Sequence, residues 1–380
     1  MVNSNAAKKK PPSLTGRAWN GKDGKSKTAN DSQAFSNVTN ATISALGGND
    51  ILSISLLDQS LVQLGEGNDQ LTIAAFGKLK APSTIDGGDG IDIVSLGYLE
   101  TSFTWIWDAE KSVWIMGAGG RQYATIKGVE KIRFKNNVAI ELDDANHALT
   151  IVGSDRADSL SASTNGSNKV SMRAGLGDDI IAINSIDKSG NTPISVDGGA
   201  GNDTIKLTGI PNDYIISKVD DTWHVDYVDG LNLGTVLIAQ NVENLTLSDG
   251  STITFVGDGI NFKAGNKAVG CVGTTGNDTL TGSRFDDTFV HLGGNDIFDL
   301  TKGGRDGLVF AKLSSIPVSD SDIGIIGYQT NDSIKIIDPF KIYTVIDNTR
   351  YENGYRIGDY HLDAGLSGSV NITFSAPKAG

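Results

Sequence analysis

Asp278, Asp287 and Asp296 stand nine residues apart, and Asp306 follows after ten, in the stretch GTTGNDTLTGSRFDDTFVHLGGNDIFDLTKGGRD. Each Asp closes a short run of Gly, Asn and Asp and is followed by a small or β-branched residue and then a large apolar one: Thr279-Leu280, Thr288-Phe289, Ile297-Phe298. Glycine permits positive φ, so such a run curls with its carbonyl oxygens turned inward. The apolar residue after the Asp then points into a core from a short strand. A fixed repeat of this kind constrains the chain to stacked, nearly identical coils, each too small to bury its own apolar face.

The same loop recurs from Thr42 onward at longer intervals. ALGGND ends at Asp50, QLGEGND at Asp69 and DGGDGID at Asp92; GSDRAD ends at Asp158, AGLGDD at Asp179 and DGGAGND at Asp203. The intervals are 19 and 23 residues in the first set and 21 and 24 in the second. In an RTX-type roll, which these loops resemble, two nonapeptides make one turn, so the intervals look like one full coil with small insertions and one Gly-Asp loop per turn. The first two sets are therefore expected to carry their loops along one edge, and the third set, with its nine-residue interval, along both.

These loops resemble the G-G-x-G-x-D-x-U-x nonapeptide of the RTX, or hemolysin-type calcium-binding, proteins of the type I secreted class. The resemblance implies a parallel β-roll that binds several Ca²⁺ ions. It carries the carboxylate role onto Asp50, Asp69, Asp92, Asp158, Asp179, Asp203, Asp278, Asp287, Asp296 and Asp306. Gly48, Gly67, Gly87, Gly90, Gly177, Gly198, Gly201, Gly276 and Gly294 would form the turns. Two loops depart from the pattern: that of Asp158 lacks its second and third glycines, and that of Asp287 has Arg284-Phe285 where glycine is expected. Calcium takes six to eight oxygen ligands, so aspartates and turned-in carbonyls are suitable donors. Without a cation, stacked carboxylates repel, so metal binding and folding are expected to be one process.

After each of the first two sets the texture changes. Ser102–Leu142 and Asp213–Phe255 show alternating apolar residues, β-branched residues and Asn-Asn or Asp-Gly turns, the marks of antiparallel strands. GVEKIRF (128–134) aligns with NVENLTL (241–247), and Trp114 with Trp223. Such segments would cap a roll whose last coil otherwise exposes an edge. The expected fold class is therefore all-β: parallel β-roll units in tandem with antiparallel capping segments. The expected divisions are a basic flexible leader (1–37), a first unit (38–147), a second (148–262), and a third (263–380) that ends in a β cap and secretion signal.

Glycine is abundant (47 residues) without a collagen period, and proline is scarce (8), which fits repeated tight turns. The net charge of −13 argues against nucleic acid or an anionic membrane as main partner. Cys271 is the only cysteine, which excludes a disulfide framework and reads as a small packed side chain. No apolar run approaches a transmembrane span, and no apolar segment follows Lys8, Lys9 and Lys10 as in a signal peptide. The IIGYQTNDSIKI stretch is similar to the segment after the repeats in proteins that leave through a type I exporter, which implies a secreted or cell-surface bacterial protein. The leader reads either as a flexible arm or as a basic anchor for an acidic surface.

Catalytic signatures are missing from the sequence. His147, His224, His291 and His361 are scattered, and there is no H-E-x-x-H, G-x-S-x-G or P-loop. The expectation is of no enzyme and a structural role, a surface-layer or matrix building block that folds and assembles on Ca²⁺ with copies of itself. The alternative is a carbohydrate-binding or adhesive module for a surface polysaccharide, with Trp105, Trp107 and Trp114 as its platform, or, third, a polysaccharide-modifying enzyme.

Overall fold

The structure is a computed structural model that describes residues 11–21, 30–78, 81–163, 168–229, 232–311, 321–337, 344–347, 349–352, 355–363 and 369–376. The described regular structure is β-strand apart from two short 3-10 turns. It divides into two units, residues 1–156 with 160–175, and residues 157–159 with 176–380.

In the first unit, coil stacks on coil through parallel pairing. Ile51–Ile54 pairs with Gln70–Ile73, and that strand with Ile93–Leu96; the registers Ile51↔Gln70 and Gln70↔Ile93 reproduce the 19- and 23-residue intervals. On another face Thr42–Ser44, Leu61–Glu66 and Ser83–Asp89 stack in the same manner. Alternate residues of each strand point inward, so the columns Ile43, Val62, Ile85 and Leu52, Leu71, Val94 are fully buried. Burying each such side chain contributes about 1.5–3 kcal/mol. The fold is thus an all-β parallel roll.

Pairing begins inside the stretch read as a flexible leader. Ser13–Thr15, Ala18–Asn20 and Ser32–Phe35 already lie parallel to the next coil, and Trp19 meets Phe35 edge-on at 5.6 Å between ring centroids. The alternating residues of Ser32–Phe35 match the strand they cover, which accounts for this. Lys8, Lys9, Lys10, Lys22, Lys25 and Lys27 lie outside the described residues.

The antiparallel segments are present where expected, in two forms. Thr104–Asp108, Val113–Ala118 and Arg121–Lys127 make a meander whose last strand runs parallel to Ser83–Asp89. In the second unit Tyr214–Val219, Thr222–Asp229 and Asn232–Gln240 do the same against Ile194–Ala200. The register shifts at matching places in the two meanders, Met116/Gly117 and Val225/Asp226. A second form continues the stack. Lys131–Arg133 runs parallel to Ile93–Leu96, reverses into Ala139–Asp143, and reverses again into Ala148–Val152, against which Lys169–Leu176 is once more parallel. Asn244–Leu247, Thr252–Val256 and Gly259–Lys263 lead in the same way to Thr279–Thr281.

The 263–311 stretch coils with a turn of 18 or 19 residues, Thr279↔Ile297 and Thr288↔Gly307. Its loops lie on both edges, as the nine-residue interval requires. Its core is aromatic: Phe262, Phe289, Phe298 and Phe310 follow one another at 6.1–6.3 Å between centroids. Cys271 is packed in this core, and burial, with the charge of Asp278, pushes its thiol pKa up.

Candidate metal centre

The loop aspartates form ladders. In the first unit the backbone N–H of Asp31 donates to Asp50 Oδ1 (2.6 Å), that of Asp50 to Asp69 Oδ1 (2.7 Å), and that of Asp69 to Asp92 Oδ1 (2.8 Å). In the second unit Asp158 N–H donates to Asp179 Oδ1 (2.7 Å) and Asp179 N–H to Asp203 Oδ1 (2.8 Å). Each carboxylate therefore reaches back one coil. The residue before the Asp reaches the other way: Asn68 N–H donates to Asn49 Oδ1 at 2.8 Å, and Asn202 N–H to Asp178 Oδ1 at 2.9 Å. These bonds fix the vertical register of the loops.

Each ladder ends on a residue that the spacing of Gly-Asp loops does not reveal. Asp92 N–H donates to Glu130 Oε2 (2.6 Å) and Asp203 N–H to Glu243 Oε2 (2.7 Å). Both glutamates belong to the aligned GVEKIRF and NVENLTL segments, and that alignment was the available signal. Here a three-residue turn replaces the six-residue loop, with Gly128 (φ 58°) and Asn241 (φ 51°) in the left-handed region. Asp144 holds the first of these turns, accepting from Gly128 N–H (2.9 Å) and from Trp114 Nε1 (2.8 Å).

The glycines stand where the coils come closest. A Cβ on Gly90 would overlap the Gly67 carbonyl oxygen, one on Gly67 that of Gly48, and one on Gly201 that of Gly177; Gly294 and Gly276 form the corresponding column in the third stack. Gly90 (φ 136°) and Gly201 (φ 150°) also need backbone that side chains disfavour. Gly87 and Gly198 serve differently, because a Cβ there would lie 2.6 Å from Asp92 Oδ2 and Asp203 Oδ2.

The second carboxylate oxygen separates the stacks. Asp69, Asp92, Asp179 and Asp203 are at most 1% exposed, and their Oδ2 atoms have no hydrogen-bond partner. In the third stack three of the equivalent atoms are satisfied. Asp278 Oδ2 accepts from Thr274 N–H (2.6 Å), Asp287 Oδ2 from Ser283 N–H (2.5 Å), and Asp296 Oδ2 meets His291 Nδ1 at 2.6 Å. The Thr274 and Ser283 hydroxyls bind the same carboxylates at 2.8 and 3.1 Å. Asp287 thus joins its ladder despite Arg284-Phe285: it accepts from Val269 N–H at 2.9 Å, and its own N–H donates to Asp306 Oδ1 at 2.9 Å. Asp306 N–H in turn donates to Asp332 Oδ1 at 2.9 Å. Asp158, first in its ladder, is only half-buried.

Burial makes these groups poor carboxylates when left to themselves. It pushes Asp92 up to about 7, and the charges of Asp69, Glu130 and Asp86 act in the same direction. Burial likewise raises Asp69, Asp179 and Asp203, with the charge of Asp203 adding at Asp179 and that of Glu243 at Asp203. In the third stack Asp278 is pushed to about 6 and Asp306 to about 7, again by burial first.

The RTX resemblance implies calcium, and the first two ladders fit it. A buried carboxylate oxygen without a donor is a costly feature unless something positive meets it. The available donors are all oxygens, which suits a hard cation better than zinc. Among the described residues no three Asp, Glu, His or Cys side chains converge on one point, so main-chain carbonyls of the loops would have to complete a coordination shell.

The tryptophans do not form an open platform. Trp114 is fully buried, and Trp107 is 7% exposed beneath His147, which stacks on it at 4.6 Å. Trp105 is half-buried.

No family model matches this chain, and no curated protein sequence matches it. The crystal structure of the extracellular lipase LipA from Serratia marcescens is similar over 58% of this chain, with 16% identity and a TM-score of 0.24. The alignment spans 37% of the lipase's length. That protein is an enzyme; the expectation that this chain is not one, which rested on missing motifs alone, is withdrawn. No helix among the described residues is long and apolar enough to cross a membrane.

Proposed function

We propose that this chain is a secreted calcium-binding β-roll protein of RTX type, in which the first two aspartate ladders hold Ca²⁺ and the third stack is held by its own hydrogen bonds. The observation that carries this reading is the set of unpartnered, buried Oδ2 atoms on Asp69, Asp92, Asp179 and Asp203. Bound Ca²⁺ would supply the positive charge that lets these carboxylates stay ionised in a buried edge. The chain's own residues do the rest: glycines bring the loops into van der Waals contact, Asp Oδ1 fixes the register, and Glu130 and Glu243 terminate the rows.

Extracellular calcium sites are typically tuned to about 10⁻⁴–10⁻³ M. A chain with such sites stays loose where calcium is scarce and sets outside the cell, consistent with a scaffold role at a surface or in a matrix. The test is calorimetric titration of metal-free protein with Ca²⁺ and with Mg²⁺, followed by circular dichroism. The expected result is calcium uptake with a gain of β-type signal and a poor response to magnesium, which demands a tighter octahedron. Unchanged spectra and no heat of binding at millimolar calcium would remove the proposal.

A further inference from the structure

The outer face of the first unit carries a cationic groove on an otherwise acidic chain. Along Lys131, Ile132, Arg133, Phe134 and Lys135, the apolar residues point into the core, Ile132 0% and Phe134 4% exposed. Lys131 and Arg133 therefore share the solvent side of the strand, about 7 Å apart, and Lys135 follows, exposed, in the turn that ends it. The cross-strand row through Arg133 runs Ser95, Arg133, Ala139, Val152, Arg173. Its small central members leave a depression of about 520 Å³, lined also by Lys135, Asn137 and Gly153. That volume is in the range of ligand sites.

Charge pairing leaves the groove positive. Glu141 is engaged by Lys131 at 3.2 Å and by Arg173 at 2.6 Å, and Asp143 is engaged by Asn146. Arg133 and Lys135 are exposed and have no acidic partner among the described residues. The Ser95 hydroxyl and the Asn137 amide beside them are available to hydroxyl groups.

We propose that this groove binds an acidic oligosaccharide, its carboxylates on Arg133 and Lys135 and its hydroxyls on Ser95 and Asn137. Charge complementarity selects the anion, and the chain's net charge of −13 selects its density. Duplex DNA presents one negative charge per about 1.7 Å and would be repelled by the rest of the molecule. A sugar-acid chain, with one charge per ring and neutral hydroxyls between, suits cations spread along a groove that also carries Ser95 and Asn137. This inference is independent of the metal reading.

The test uses the full chain at one fixed Ca²⁺ concentration in cell and syringe. Tetragalacturonate, its methyl ester and an eight-nucleotide single-stranded DNA are titrated into the wild type, into the double variant Arg133→Ser with Lys135→Ser, and into Lys206→Ser, an exposed lysine on another strand. The expected result is binding of tetragalacturonate that weakens at least tenfold in the double variant and with added salt, is unchanged in Lys206→Ser, and is absent for the ester. Lys135→Ser alone carries the test if the double variant does not fold. Equal binding by the double variant, binding of the ester, tighter binding of the DNA, or no binding of tetragalacturonate would each overturn the proposal.

Discussion

Asp92 donates its backbone N–H to Glu130 Oε2 at 2.6 Å, across thirty-eight residues of chain. Asp203 and Glu243 repeat the bond at 2.7 Å. A ladder whose every rung is held by the carboxylate of the next coil needs a last carboxylate from somewhere else, and the antiparallel segment supplies it.

Replacing that last rung tests its role. Glu130→Ala leaves a buried N–H without an acceptor and should destabilise the first unit by about 1–3 kcal/mol. Glu130→Gln keeps an oxygen acceptor and should cost much less. Chemical denaturation of the two variants in calcium separates them; equal losses would mean that packing, not the hydrogen bond, sets the effect.

Asp92→Asn and Asp278→Asn should behave oppositely. Asp92 Oδ2 has no donor to lose, so the amide removes the buried charge without breaking a hydrogen bond: calcium affinity should fall about tenfold or more, while the metal-free protein should be no less stable, most clearly at pH 8. Asp278 Oδ2 accepts from Thr274 N–H. An amide nitrogen there sets donor against donor, so Asp278→Asn should lose about 1–3 kcal/mol whether or not calcium is present. Titration and melting of both variants decide the matter.

Metal-free protein should lose stability as pH rises. Asp92 and Asp306 titrate near 7 and Asp278 near 6 in the folded chain, against about 3.9 when unfolded. Above pH 4 the unfolded chain has released protons that the folded one still holds. Raising the pH from about 4 to 7 therefore favours unfolding. The melting temperature of dialysed protein should be higher at pH 5 than at pH 8, and saturating calcium should reduce or reverse that order. A metal-free melting temperature that rises with pH would contradict the account.

Gly87→Ala and Gly198→Ala should each destabilise their unit by about 1–3 kcal/mol, since the added Cβ crowds both a carbonyl and the Asp Oδ2. Gly119→Ala, at a turn with open space around it, tests the contribution of positive φ alone. Melting curves in calcium should rank the first two below the third.

Much of this architecture was legible because it depends on period. The 19-, 23- and 18-residue registers follow directly from where Asp50, Asp69, Asp92, Asp278 and Asp296 stand. The difference between orphaned and satisfied carboxylates was less visible, since it turns on which way one N–H points. Thr274 and Ser283, standing where Gly88 stands in a complete loop, turn that N–H onto the Asp, and their hydroxyls add to it. Period alone also placed Trp105 and Trp107 on one face without telling which was covered; His147 covers Trp107 from a turn forty residues away. Glu130 was visible as part of a repeated motif, but its partner lies a whole meander earlier in the chain.

The paired reversals at Ala139–Asp143 and Ala148–Val152 have a consequence of parity. One reversal would send the next coil backward, with its loops emerging on the wrong side; two restore the direction of travel. A chain built on this rule can gain or shed such couplings only in twos. Deleting Ala139–Asp143 alone should scramble everything downstream in the unit, whereas excising both strands with their turns leaves the next coil facing the way it did before. The hairpin acts as a coupling between carriages, and it is indifferent to how many carriages follow.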